Sequence, residues 1–133
     1  MNPLYSDVAA WADRRCEYCR APEHVFNFAF EVEHVQPRAA GGSDGSDNLA
    51  LACASCNSHK AAATSARDED TGQTISLFHP RHDRWSDHFR YDDERGLVQG
   101  ITPKGRATVA RLRLNSEFQL RARHQWMQLD ICP

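Results

Sequence analysis

Four of the five cysteines stand in two pairs of equal spacing, C-E-Y-C at Cys16 and Cys19 and C-A-S-C at Cys53 and Cys56. Two residues between thiols let both sulfurs reach one ion. Zinc takes four thiolates tetrahedrally, and four sulfurs close its coordination shell, so such an ion is structural rather than catalytic. A single pair would leave a redox dithiol or a disulfide open. Two pairs in a reducing compartment favour Zn²⁺. Cys132 is left over as a free thiol. Between the pairs lies an apolar run ending in Glu33 and His34, then a loop with Gly41, Gly42 and Gly45, then Asn48; Asn57 follows the last clamp cysteine directly. Histidine has a reference pKa of about 6.5, so His34 can exchange a proton near neutral pH.

These residues must be held by a small fold. The chain has 133 residues, 41% hydrophobic and 26% charged, which suits one domain over 1–133. No apolar run reaches the roughly 20 residues of a membrane span. The start, M-N-P-L-Y-S-D-V-A-A-W, lacks the basic and apolar regions of a secretory signal, which places the protein in the cytoplasm. The net charge of −2 argues against bulk attraction to nucleic acid. Its distribution is uneven: Lys104, Arg106, Arg111, Arg113, Arg121 and Arg123 meet only Glu117 within their stretch. That stretch reads as a solvated helix face or as a local contact to DNA.

Asn2-Pro3 has the form of a helix start, with Leu4, Val8 and Trp11 as an apolar stripe. Val25 to Val35 reads as a strand, with Phe26, Phe28, Phe30, Val32 and His34 facing the core and Glu33 on the opposite side. Asn48 to Ala52 reads as a second strand and Cys56 to Ala66 as a helix rich in alanine. Arg67 to Gly72 is a polar linker, and Ile75 to Phe78 a short strand. His88 to Gly100 forms a hairpin. Thr102-Pro103 opens a helix through Arg113, and Asn115 or Ser116 caps a last one. Phe118, Ala122, Trp126 and Leu129 share a side of that helix, facing the core or a partner chain alike. There is no internal repeat.

The run C-E-Y-C, E-H-V-Q-P-R-A-A-G-G-S-D and N-L-A-L-A-C-A-S-C-N-S-H-K resembles the HNH endonucleases over Cys16 to Lys60. The resemblance implies a ββα-metal core over 16–66 with a zinc knuckle. With the N-terminal helix and the hairpin-plus-helices extension over 75–131 read above, packed on that core, the fold expected is α+β. It makes His34 the general base and Asn48 the residue holding the loop that orients it. Glu33 and Asn57 become ligands of a catalytic Mg²⁺ or Mn²⁺; both are hard oxygen donors, as those ions require. The pattern Glu-His, Asn, Asn departs from a literal His-Asn-His and resembles the phage resolvase branch. Double-stranded DNA is the implied partner, cut to 5′-phosphate and 3′-hydroxyl ends. The tail L-F-H-P-R-H-D-R-W-S-D-H-F is similar to that of a bacterial subgroup.

Each residue also has a plainer reading. His34 fits a packed strand histidine, Glu33 a solvated position, Asn48 a strand start and Asn57 a helix cap. Arg38, His59 and Lys60 are candidate phosphate contacts or solvent-facing residues. In a regular strand Glu33 and His34 point to opposite sides, so one site can use both only if the strand distorts or the helix overhangs it. His79, Arg81, Trp85 and His88 read as residues that knit the extension together. The alternative function is a non-catalytic zinc module that binds nucleic acid or protein, with a redox protein a distant third.

Overall fold

The computed structural model describes residues 2–131, so Cys132 lies outside the described residues. Antiparallel pairing of Glu31–His34 (β1) with Leu49–Ala52 (β2) is the piece on which the remainder is laid. The register sets Glu33 opposite Ala50 and His34 opposite Leu49. Strand β1 is shorter than the aromatic run predicts. Its N-terminal half instead wraps around the buried carboxylate of Glu23, which accepts the backbone N–H of Phe30 at 2.8 Å. Glu23–Val25 form a 3₁₀ turn, and Phe28 is exposed. The facing is also the reverse of the expectation. Glu33 is buried at 6% exposure, while Val32 and His34 are half-buried.

Helix α1 (Tyr5–Trp11) buries Val8 and Ala9, whereas Leu4 and Trp11 are exposed. Small side chains thus bring it close to the sheet. Asn2 still caps the entry, with its Oδ1 accepting Leu4 N at 2.7 Å. After β2, Cys53 caps helix α2 (Ala54–Lys60) through its sulfur. This helix stops earlier than its alanines suggest. Ala61 takes φ 49° and turns the chain into β3 (Ser65–Arg67). The supposed polar linker is the turn joining β3 to β4 (Thr74–Ser76).

The chain continues through α3 (Trp85–His88) into β5 (Phe89–Tyr91) and β6 (Val98–Gly100), then α4 (Pro103–Leu112) and α5 (Glu117–Gln128). Thr102 and Ser116 cap the last two helices, each accepting an N–H one turn on. Helix α4 lies against α2 and β6. Gly105 allows that approach, since a Cβ there would stand 2.0 Å from His88 O. Val8, Phe30, Leu49, Leu51, Phe78 and Leu112 belong to one apolar core. The fold is α+β, as expected. Among the described residues no helix is long and apolar enough to cross a membrane.

The basic stretch of α4 and α5 is mostly paired within the fold. Lys104 meets Asp83 at 2.9 Å, Arg106 meets Asp68 at 2.9 Å, and Arg121 meets Glu117 at 3.0 Å. Arg106 holds the Asp68 carboxyl at about 2, below its ordinary range. On α5 the expected apolar stripe is split: Trp126 packs on Phe26 and the core, while Phe118 is 76% and Leu129 69% exposed and Gln119 and Arg123 are buried. Arg123 donates to Gly96 O at 2.8 Å, Leu114 O at 2.7 Å and Asn115 Oδ1 at 3.3 Å. Asn115 in turn bonds both backbone groups of Val98 at 2.8 Å. One buried guanidinium therefore ties α5 to the β5–β6 hairpin. Arg123→Met is expected to lower unfolding free energy by about 3 kcal/mol, because buried acceptors lose a charged donor. Arg121→Met, on the surface, should change it by less than about 0.5 kcal/mol. Urea unfolding followed by circular dichroism measures both.

Candidate active site

Two knuckles meet behind the hairpin. Cys16 and Cys19 sit in the turn after α1, closed by Cys16 N donating to Ala21 O at 2.9 Å and by Arg20 at φ 68°. Cys53 and Cys56 start α2. All four sulfurs are buried and lie within 4.8 Å of one another. Cys19 and Cys53 Sγ are 3.7 Å apart. That is far beyond a disulfide bond and matches the roughly 3.8 Å edge of a tetrahedron with 2.3 Å zinc–sulfur bonds. Contacts with the Cys16, Cys19 and Cys53 thiols, and then burial, push the Cys56 thiol well above its ordinary range. Four thiols packed this way ionise together only around a cation, so the donor set fits Zn²⁺.

The extension is fastened to this centre. Glu17 accepts Leu51 N at 2.8 Å through one oxygen and pairs with Arg81 through the other. Trp85 Nε1 donates to Tyr18 O at 2.8 Å, and Gln119 Nε2 reaches Cys56 Sγ at 3.8 Å. Arg81 and Trp85 do knit the extension, as the sequence suggests, and the part they hold is the first cysteine knuckle.

On the other side of the hairpin, Val32, Glu33, His34, Arg38, Asn57 and Ala61 line an open cleft of about 440 Å³. Three consecutive residues of β1, Val32, Glu33 and His34, line it, and among the described residues β1 pairs with β2 alone. Residues of β1 and α2 line the cleft together, which brings Glu33, His34 and Asn57 to one place. Glu33 is bonded by the Tyr18 hydroxyl and pairs with Lys60 Nζ at 3.3 Å. Burial raises the Glu33 carboxyl, against the lowering effect of Lys60 and Tyr18. A carboxylate has about four acceptor sites, so two remain. The Asn57 side chain has no hydrogen-bond partner among the described residues. A carboxylate and a free amide in one cleft fit a hard divalent cation.

The loop from β1 to β2 is held by Asn48. Its Nδ2 donates to Gln36 O at 2.9 Å and Ser43 O at 2.8 Å, and its Oδ1 accepts Gln36 N at 2.9 Å. Gly42 is required at the crossing, since a Cβ there would lie 1.8 Å from Gln36 O. The loop thereby delivers Asp44, whose Oδ1 is 2.7 Å from His34 Nε2 and 2.8 Å from Arg38 Nε. Hydrogen bonds from His34 and then Arg38 hold the Asp44 carboxyl below its ordinary range.

Sequence reasoning missed Asp44 and Tyr18. Asp44 reads as one more polar residue in a glycine-rich loop, and Tyr18 as filler between two cysteines. Lys60 needs correction as a phosphate contact. It is fully buried, with Nζ donating to Val35 O at 2.8 Å. Arg38 is exposed at the cleft. His59 bonds Ser55 Oγ at 3.4 Å and is absent from the cleft lining.

Residues 16–62 match the family model described as HNH endonuclease, just over a third of the chain. The match covers that segment alone, and the four-cysteine cluster inside it is consistent with the zinc-binding branch of that family. No curated protein and no solved structure matches the chain significantly.

One zinc per chain is the expected result of elemental analysis. Its removal by a chelator, or the change Cys56→Ser, should abolish cooperative thermal unfolding or lower the midpoint by more than about 10 °C. Calorimetry with and without zinc decides.

Proposed function

We propose that the protein is a metal-dependent DNA endonuclease with His34 as its general base. The observation carrying this reading is the meeting of Glu33, His34, Arg38 and Asn57 in one open cleft, within a segment that matches HNH endonucleases. Residues 16–66 form the catalytic core and 75–131 the extension packed on it, in a protein of the reducing cytoplasm. Double-stranded DNA is the substrate.

Asp44 is held ionised by His34 and Arg38, so it has no proton to give and His34 Nε2 is the donor in their 2.7 Å bond. The lone pair of the neutral ring then lies on Nδ1. That atom takes the proton of the attacking water, and Asp44 stabilises the imidazolium so formed. Asn48 acts one step back, keeping the loop in the shape that brings Asp44 to the ring. Arg38 shares the Asp44 carboxylate and has further N–H groups for a phosphate oxygen. Glu33 and Asn57 would hold Mg²⁺ or Mn²⁺, which when bound supplies charge neutralisation at the scissile phosphate and the departing oxygen. Products would carry 5′-phosphate and 3′-hydroxyl ends.

The pairing of Glu33 with Lys60 favours a second reading, a zinc-stabilised binding module, because an ammonium already neutralises the carboxylate a cation would seek. Cleavage of supercoiled plasmid separates the two. With Mg²⁺ or Mn²⁺ the protein is expected to give nicked or linear DNA, and His34→Ala to lose about 10²- to 10⁴-fold in rate. Equal rates for the two proteins would rule out the enzyme. Asp44→Asn should leave KM nearly unchanged and lower kcat, by less than the roughly 10⁴-fold of a buried Asp–His pair because Asp44 is exposed.

A further inference from the structure

A second cleft, of about 470 Å³, opens beside the first. The two divide the same elements between them. Glu33, His34 and Asn57 line the first, and Val35, Gln36 and Lys60 the second. Gln36 is two residues from His34, so their Cα atoms lie within about 7.6 Å. The far wall comes from the extension, with Phe78, His79, His82, Asp83 and Lys104. The volume lies in the range of sites for small organic ligands.

Its chemistry is not that of an anion site. Lys104 Nζ is bound by Asp83 at 2.9 Å, and Lys60 is buried beside Glu33. The groups left open are flat or uncharged. The imidazoles of His79 and His82 stack with centroids 3.8 Å apart and planes 10° from parallel. Rings laid face to face do not aim their lone pairs at one ion, and the only metal-type cluster among the described residues is the cysteine set. His82 is exposed, and His79 is its ring's only partner among the described residues. Burial, then the neighbouring His82, holds the His79 imidazole below its ordinary range. Gln36 Nε2 donates to Ala40 O at 2.6 Å and keeps its side-chain carbonyl open. The hydroxyls of Thr64 and Ser76 line the same cleft without partners among the described residues.

An exposed aromatic face with neutral hydrogen-bonding groups around it suits a heteroaromatic ring rather than a phosphate. We infer that this cleft receives an unpaired nucleobase of the DNA strand whose phosphodiester lies at His34, stacked on His82 and hydrogen-bonded by Gln36. The inference rests on the nuclease reading. It narrows the preferred substrate to DNA with a nucleotide out of the stack, as at a bulge, gap or flap, because a paired base cannot enter a walled cleft.

The test uses the full, zinc-loaded chain carrying His34→Ala, so that binding is read without cleavage. Two duplexes are titrated by anisotropy, one fully paired and one with a single unpaired 2-aminopurine nucleotide. Tighter binding to the second is expected, with quenching of the 2-aminopurine as it stacks. Adding His82→Ala should weaken that binding about tenfold, abolish the quench and leave the paired duplex unaffected; His82→Phe should restore both. Equal affinity for the two duplexes, or a His82→Ala protein that still quenches, overturns the inference. Plasmid cleavage by the wild-type chain is scored alongside. Cleavage without His82-dependent binding sinks this inference alone. His82-dependent binding without cleavage sinks the nuclease reading and keeps only the base-binding role of this cleft.

Discussion

The meeting of four sulfurs governs this structure. Cys19 and Cys53 are separated by 34 positions along the chain. Closing a loop of that length costs about 3 kcal/mol of chain entropy, before the thiols are packed without water. A zinc ion held by these four thiolates would supply on the order of 10 kcal/mol, enough to drive the closure. Everything between the two knuckles, including the hairpin with Glu33 and His34, is then confined to a loop whose ends are fixed. The same closure places the start of α2 under the strand, which is how Asn57 comes to share a cleft with residues of β1.

Behind that cleft the fold carries an unusual amount of buried polarity. Tyr18, Glu33 and Lys60 form a chain of contacts from the zinc knuckle through β1 to the end of α2. Lys60 also satisfies Val35 O, where the strand leaves the sheet. Such a network is costly unless every member has a partner, and here each does. It joins the three elements of the core by directional bonds, where apolar contacts would tolerate sliding. His34 stands at the outer end of the same strand, in contact with a loop that Asn48 bonds in three places. The inner side of the site is thus held by directional bonds, with about two acceptor positions of Glu33 unused, and the outer side is held by the loop that Asn48 fixes.

Local patterns were read well from sequence where one residue type decides the geometry. The thiol pairs, the capping of α4 by Thr102 beside Pro103, and the β5–β6 hairpin all stand where spacing and turn chemistry put them. Reading failed where a distant partner decides. Glu23, not a second strand, sets the course of the phenylalanine run. Lys60 looks like a surface cation until Glu33 turns inward. On α5 the polar residues Gln119 and Arg123 occupy the buried side because their acceptors belong to the zinc knuckle and the β5–β6 hairpin. Asp44 carries no signal of its own. Its position follows from the crossing of Gly42 over Gln36, which depends on the loop as a whole.

The bond between Glu17 and Arg81 bears on how this domain can be handled and inherited. Glu17 is a nearly buried acid within the first knuckle, and its cation comes from beyond the ββα unit. A fragment ending after α2 would strand that acid and bare the faces of Tyr18 and Cys56 that Trp85 and Gln119 now cover. The minimal motif in this chain is therefore not a portable cassette. Core and tail would have to be exchanged, shortened or recombined as one piece.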